Sequence, residues 1–362
     1  MVIVCRGCRG DALRPVLDLG KVPAADHFPP AAAPVGPDET AHPLRMDICL
    51  ECGLAQLAED DTRAEEPRGV EPQALRDQAS AAVERVSGLL RGQTVREFGS
   101  PHGGTWVPLL TARGFREVRG AADVVLDCFG IMHEPDQRAA FAHRAAATAP
   151  GGMLLLQYHS LATIVASGQW NALRHGHFAY YSLAALLRLL ADAGMSVVAA
   201  WQFDLYGGTV LLAAVHGDAE PDDSVRAVLA AESRPLDLDG LRRLQQVTDT
   251  HAVALRGWLE SQSAQGLRVY AYGAASRAVA LFSLAGVHRG VLTAVADASP
   301  AKQGRRMPGT DVPIVAPAEL LAARPDSVLL TLPDLLPEVR ERFPELAGRW
   351  FLDDPDGPVK GV

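Results

Sequence analysis

Short apolar runs broken by glycine and proline turns recur along the chain and predict its elements. TVREF (94–98), ADVVLDC (122–128) and PGGMLLLQYH (150–159) read as strands, the last entered through a Pro-Gly-Gly turn. From Leu183 to Ala193 apolar residues return at helical spacing. MSVVAAWQF and TVLLAAV then read as a two-strand hairpin around Tyr206, Gly207 and Gly208. LRRLQQVTDTHAVALRGWLESQS (241–263) is an amphipathic helix by the same spacing. Beyond Leu267, RVYAY, LTAVAD and SVLLTL alternate with helical stretches. This alternation predicts an α/β fold with two nucleotide-fold units, the first doubly wound with an antiparallel edge and the second Rossmann-like.

The N-terminal stretch breaks the pattern. Cys5-Arg-Gly-Cys8 and Cys49-Leu-Glu-Cys52 are two knuckles that together supply the four sulfurs of a closed zinc site. A closed site leaves no open position for substrate, so the zinc is expected to stabilise its own module without acting directly on chemistry elsewhere. Between the knuckles, Val22 to Pro43 is proline-rich and cannot build a core of its own. Unligated redox pairs are the weaker reading, since no thioredoxin-like strand–helix context surrounds either one. The chain thus divides into a zinc-binding module (1–66), a doubly wound domain (67–220), a helical linker (221–265) and a Rossmann-like domain (266–362).

Composition narrows the function. A chain of 362 residues is too long for one core, and a net charge of −9 with mixed signs excludes a basic nucleic-acid face. The start, MVIVCRGCRG, does not read as a secretory signal, and no apolar run reaches membrane-spanning length. A cytoplasmic enzyme of small molecules, contacting neither nucleic acid nor membrane, is expected.

Candidate chemistry gathers at strand ends. QWNALRHGHFAYYS holds Arg174, His175 and His177 just beyond a strand, where open α/β sheets place their ligands. An i, i+2 pair on extended backbone can send both rings into one cleft, and histidine suits proton transfer near neutral pH. Glu97-x-Gly99 with Gly103 and Gly104 forms a glycine turn at another strand end, and His133 follows a third. Ser276 and Arg277 put a hydroxyl and a guanidinium at a helix start, which suits either a pyrophosphate or a helix cap with a surface Arg.

The order of these features resembles the S-adenosylmethionine (SAM)-dependent C-methyltransferases of nucleotide-linked deoxysugars. It runs from the zinc knuckles through the glycine turn, the His133-x-Pro135-Asp136 stretch, the Pro-Gly-Gly strand and the His-x-His-Phe loop to the Gly-Gly hairpin. VADASPAKQGRRMPGTDVPI resembles that family's Asp-x-x-Pro-x-Lys-Gln-Gly-x-x-x-Pro-Gly segment. The resemblance implies structural zinc on Cys5, Cys8, Cys49 and Cys52, and SAM at Glu97, Gly99 and Gly103. It implies a nucleotide held by Ser276, Arg277, Asp297 and Lys302, with Arg174 and Tyr206 as further substrate contacts. The reaction implied is methylation of a keto-deoxysugar in natural-product sugar biosynthesis. His177 is then the base that forms the enolate, assisted by His133 and supported by His175.

Several positions depart from that pattern. Between Gly99 and Asp123 there is room for one helix and one short strand, so the sheet should lack outer strands and the acid that binds the cofactor ribose. Glu117 and Asp123 are the available substitutes, and Gly176 stands where the family has an acid between the histidines. A SAM-independent isomerase, epimerase or eliminating enzyme of the same fold is the alternative.

Overall fold

The computed structural model describes residues 3–62, 70–101, 103–233 and 236–361. The two knuckles converge. The sulfurs of Cys5 and Cys52 lie 3.5 Å apart, those of Cys8 and Cys49 3.6 Å, and all four fall within 4.8 Å of one another. Ligands of a tetrahedral zinc at ~2.3 Å stand about 3.8 Å apart, so the cluster fits the ion. Left-handed backbone at Arg9 (φ 67°) and Gly53 (φ 79°) turns each knuckle back toward the cluster.

Strand β1 (Leu13–Val22) pairs antiparallel with β2 (His42–Cys49), and β2 with β3 (Ala55–Leu57). The fourth strand of this sheet comes from far along the chain, at Ala179–Tyr180 inside the histidine stretch. Ala55 faces Tyr180, Gln56 faces Ala179, and Leu57 N–H donates to the Phe178 carbonyl at 3.2 Å. Arg6, between the first two cysteines, lays its guanidinium over the Phe178 ring at 4.8 Å and donates to the Pro135 carbonyl at 3.0 Å. The zinc module therefore does not stand apart from the histidines, as the sequence suggested. It forms one wall of their loop.

The middle sheet follows in chain order. Helix α1 (Gln73–Val86) precedes β4 (Thr94–Phe98), α2 (Val107–Thr111), β5 (Arg116–Glu117), β6 (Ala122–Cys128), α3 (Gln137–Ala147) and β7 (Thr148–His159). Then come α4 (Leu161–Ala166), β8 (the Ala179–Tyr180 strand), α5 (Leu183–Asp192), β9 (Met195–Phe203), β10 (Thr209–His216) and α6 (Asp223–Ser233). The strand order is β5–β4–β6–β7–β10–β9, with the first four parallel and β10 antiparallel to both neighbours. Val124 and Leu126 pack on one face with α1, and Val125 on the other with α3, so the sheet is covered on both sides. It stops at the two-residue edge strand β5, because the chain between Gly99 and Asp123 holds nothing further.

Helix α7 (Leu238–Ala264) buries Leu241, Leu244, Thr248, His251, Leu255 and Leu259 on one stripe. After it, β11 (Val269–Tyr272), α8 (Arg277–Leu284), β12 (Val295–Ala296), β13 (Ile314–Val315), α9 (Pro317–Ala323), β14 (Ser327–Leu330), α10 (Leu336–Arg342), β15 (Trp350–Leu352) and β16 (Val359–Lys360) build the third sheet. Its order is β13–β12–β11–β14–β15–β16, parallel except for β16. One apolar cluster joins Leu17, Leu44 and Met46 of the zinc module to Leu255 of α7 and Phe282 of α8. Helix α7 is thus part of a shared core as well as a connection.

The proline-rich loop uses this neighbour in place of a core. The Arg306 guanidinium, 1% exposed, donates to the carbonyls of Ala33 and Pro34 at 2.9 Å each and pairs with Glu39. Burial works to raise the Glu39 pKa, but bonds from Arg306, Gly36 N–H and Gly309 N–H outweigh it and pull the value down to about 2. A depressed folded-state pKa contributes stability above the unfolded value near 4.3, lost as pH falls toward the folded value. Wild-type protein should lose this contribution between about pH 4.5 and about pH 2, and Glu39→Gln should flatten that part of a Tm–pH profile. Superimposable profiles would show that the loop does not dock through this pair.

The zinc generates a second prediction. Because β3 pairs with β8, Cys52→Ser or stripping of the metal should lower Tm. It should also raise hydrogen exchange at the amides of residues 55–57 and 179–180. Unchanged protection at Ala179 and Tyr180 would show that the zinc module and the histidine loop are uncoupled.

Candidate active site

The histidine loop leaves the middle sheet at the end of β7 and returns at the start of α5. Its two ends meet: Ser160 bridges Tyr181, and Leu161 N–H donates to the Tyr181 carbonyl at 2.8 Å. Glu232, buried at the end of α6, holds this neck. Its carboxylate accepts from Ser160 Oγ at 2.7 Å, Leu183 N–H at 2.5 Å and the Tyr158 hydroxyl at 3.4 Å. Burial raises its pKa, and the bonds from Ser160 and Leu183 oppose that. Farther along, Trp170 Nε1–H donates to His251 Nδ1 at 3.1 Å, so the proton of that ring sits on Nε2, 2.9 Å from Asp353. This chain of bonds ties the loop to α7 and the third sheet.

His133 and His177 meet inside. Asp127, paired with the buried Arg144 at 2.8 Å, accepts from Gly130 and Ile131 N–H and shapes the turn after β6 that delivers His133. His133 Nδ1 lies 2.9 Å from the Gly176 carbonyl, which can only accept, so that nitrogen carries the proton. Its ring stands 4.5 Å from that of His177, edge to face at 87°. Arg174 Nε donates to His177 Nε2 at 2.8 Å, which therefore presents a lone pair.

His175 does not share this cleft. Gly176 takes φ 77°, and the turn sends His175 to the other side, where Nε2 donates to the Pro43 carbonyl at 3.2 Å and the ring sits 5.9 Å from His42. Burial lowers the His175 pKa. The extended backbone needed to aim both rings one way is broken by the glycine. On the same side Asp60, from the zinc module, accepts from Gly176 N–H at 2.7 Å.

A cavity of about 260 Å³ opens between the middle sheet, the loop and the third sheet. Gly103, His133, Arg174, His177, Tyr206, Ser276, Arg277 and Lys302 all line it. Arg277 Nη2 reaches Asn171 Oδ1 at 3.1 Å and Gln169 Oε1 at 3.3 Å, and burial, with the charge of Arg174, lowers its pKa. Lys302 donates to the Ala274 carbonyl at 2.9 Å with its ammonium 4.7 Å from the Phe28 ring. Asp297 is not among the lining residues. Its carboxylate accepts from Ala274 N–H and Ser299 N–H at 2.7 Å each, so it builds the turn below Ser276. Phe129 (φ 61°) and Tyr206 (φ 56°) face each other in left-handed backbone, a strain that concentrates at functional sites.

The glycine turn after β4 forms the far end of this cavity. Gly103 (φ 93°) and Gly104 (φ 84°) line it, and a Cβ added to Gly103 would meet no atom within 4 Å. Bare backbone at a parallel-strand end, walled by Leu75, Trp106 and Cys128, fits SAM. Glu97 instead accepts from Trp106 N–H at 2.7 Å, with its pKa raised by burial, and Gly99 lies outside the lining. Neither proposed ribose acid reaches the cavity. Asp123 is at the opposite end of β6, bound to Gln93 and Thr94, and Glu117 is exposed on the edge strand. Glu71 is the one carboxylate among the described residues of the lining. Sequence reading missed Glu71, Phe129 and Asn171, and it counted His159 in the polar crowding of the loop without giving it a role. For His159 a signal existed, since Gln157 and His159 alternate onto one face at the end of β7.

Three family models match in chain order. They are a domain named for zinc binding over residues 5–65, a methyltransferase domain over 119–200 and a C-methyltransferase C-terminal domain over 204–351. The middle match begins beyond the glycine turn, near the end of the shortened segment. The C-methyltransferase NovU of Streptomyces niveus is 27% identical, the alignment covering 98% of this chain and 96% of NovU. Among solved structures, magnesium protoporphyrin IX methyltransferase of Synechocystis PCC 6803 with bound S-adenosylhomocysteine is 15% identical. That match covers 42% of this chain and 90% of the other at a TM-score of 0.29. The 1,6-didemethyltoxoflavin-N1-methyltransferase of Burkholderia thailandensis is 14% identical over 47% and 98%, at 0.32. In chain order the protein thus carries a zinc-binding domain, a methyltransferase domain and a C-methyltransferase C-terminal domain, and with its end-to-end similarity to a C-methyltransferase this supports a SAM-dependent methyltransferase.

Proposed function

We propose that the carbon methylated is the one beside a ketone in a sugar carried on a nucleoside diphosphate, and that His177 removes its proton. The observation that carries this is one cavity that brings the edge-to-face rings of His133 and His177 together with the cations Arg174, Arg277 and Lys302, Arg174 lying against His177 itself. A diphosphate needs fixed cations at a distance from the reacting carbon, and a sugar ring spans that distance.

His177 Nε2 takes the α-proton, the C–H electrons become an enolate, and the enolate carbon is the nucleophile. Bound SAM supplies the methyl group. In the resting arrangement the Nε2 lone pair is held by Arg174. A diphosphate attracts that guanidinium more strongly than a neutral ring does, so substrate binding itself uncovers the base. The proton that His133 gives to the Gly176 carbonyl fixes its ring against His177.

His177→Gln is expected to lower turnover of a nucleoside-diphosphate keto-deoxysugar by ~10²–10⁴-fold, and to slow solvent-deuterium exchange beside the ketone equally. Arg277→Ala should weaken nucleotide binding with little change in kcat, because a phosphate contact is made alike in ground and transition states. Wild-type exchange rates in His177→Gln would remove His177 as base. Unchanged nucleotide affinity in Arg277→Ala would move the diphosphate elsewhere.

A further inference from the structure

We propose that His159 reads the sugar: its neutral ring accepts a hydrogen bond at Nε2 from a hydroxyl of the bound substrate. The inference rests on the nucleotide-sugar reading above and adds to it a residue that decides which sugars are accepted.

His159 is the last residue of β7 and lines the cavity, its ring 6.4 Å from that of Tyr206 across the hairpin. The Tyr206 backbone carbonyl lies within the ring's reach and favours its protonated form. A carbonyl can only accept, so the nitrogen used there carries the proton. Nε2 is the other nitrogen: it is buried and has no hydrogen-bond partner among the described residues. A buried acceptor left unmatched is costly, and in a ligand cavity the matching donor is expected from the ligand. Two residues back on the same face, Gln157 Oε1 is also buried without a partner, while its Nε2 donates to Thr209 Oγ1 at 3.3 Å. Two acceptors on one strand face suit a ring bearing more than one hydroxyl.

Charge keeps His159 from being a second base. Burial, then the guanidiniums of Arg277 and Arg174, lower its pKa to about 3. A group so far below neutral pH is a weak proton acceptor, but it stays uncharged and keeps its lone pair available. Its surroundings also locate it. The influence of Arg277 and Arg174 sets it near the diphosphate end, where the sugar of a nucleotide conjugate begins.

Calorimetric titration with thymidine diphosphate and with thymidine diphosphate–glucose tests the proposal. Wild type should bind the sugar conjugate more tightly than the diphosphate. His159→Phe should bind the diphosphate as wild type does and lose roughly 10- to 100-fold in affinity for the conjugate. His159→Gln, which keeps an acceptor near the Nε2 position, should recover most of that loss. An undiminished preference for the conjugate in His159→Phe would overturn the role. So would equal losses for both ligands, or failure of Gln to recover binding, since each marks a structural effect. Wild type binding neither ligand would instead defeat the nucleotide-sugar reading, and this inference with it. Should His159→Phe not fold, ¹⁵N spectra of wild type decide. A shift of the His159 Nε2 resonance on adding the conjugate, absent with the diphosphate, supports the contact, and no shift overturns it.

Discussion

One buried carboxylate holds the histidine loop closed. Glu232 accepts hydrogen bonds at both ends of the excursion between β7 and α5, from Ser160 Oγ and from Leu183 N–H. Removing such a group from water is costly, and the three bonds at this neck repay it only while the strand end and the start of α5 stay together. The same donors give the carboxylate its position, so the neck and its clasp are mutually dependent. Everything the loop presents, from Asn171 to His177, is measured from that point.

Beyond its neck, the loop borrows its shape from the rest of the chain. The zinc module adds β3 along one side, Arg6 stacks on Phe178, and the Trp170–His251–Asp353 chain fastens the other side to the third sheet. None of these contacts is local, so the loop is ordered by three separate parts of the chain at once. A four-sulfur zinc site needs no catalytic position to matter here: it stabilises the strand against which the loop lies. The proline-rich segment follows the same rule, using Arg306 of the third domain where it lacks a core.

The candidate site sets cations directly beside its imidazoles. Three cations line the cavity, and of the imidazoles beside them His159 is held uncharged by burial while His177 accepts a bond from Arg174 at Nε2. Protonated rings next to Arg174 and Arg277 would repel them and could not take a proton. The strained backbone at Phe129 and Tyr206 lies at the same place, where neighbouring strands hold it against relaxation. The domain matches favour a SAM-dependent methyltransferase over a cofactor-free enzyme of this fold.

Much of this was written in local pattern. Cys-x-x-Cys pairs, apolar alternation and glycine turns are short-range signals, and they determined the cysteine cluster, the strands of the middle sheet with its shortened edge at β5, and three strands of the third sheet, but not β13, β15, β16 or the N-terminal sheet. The sequence also placed His133 and His177 at strand ends, where parallel sheets bind ligands. What it left open depended on distant partners. Gly176 turned His175 toward the zinc module because its φ is positive, and Asp297 served its own turn because the Ala274 and Ser299 amides take up its carboxylate. His159 was legible as a residue but not as a functional one. Its meaning comes from an unmatched nitrogen and two guanidiniums brought beside it by the loop and the third domain. Periodicity fixes which side of an element a residue occupies. Only the tertiary structure decides what that side faces, because desolvation, charge and hydrogen-bond geometry act through space and not along the chain.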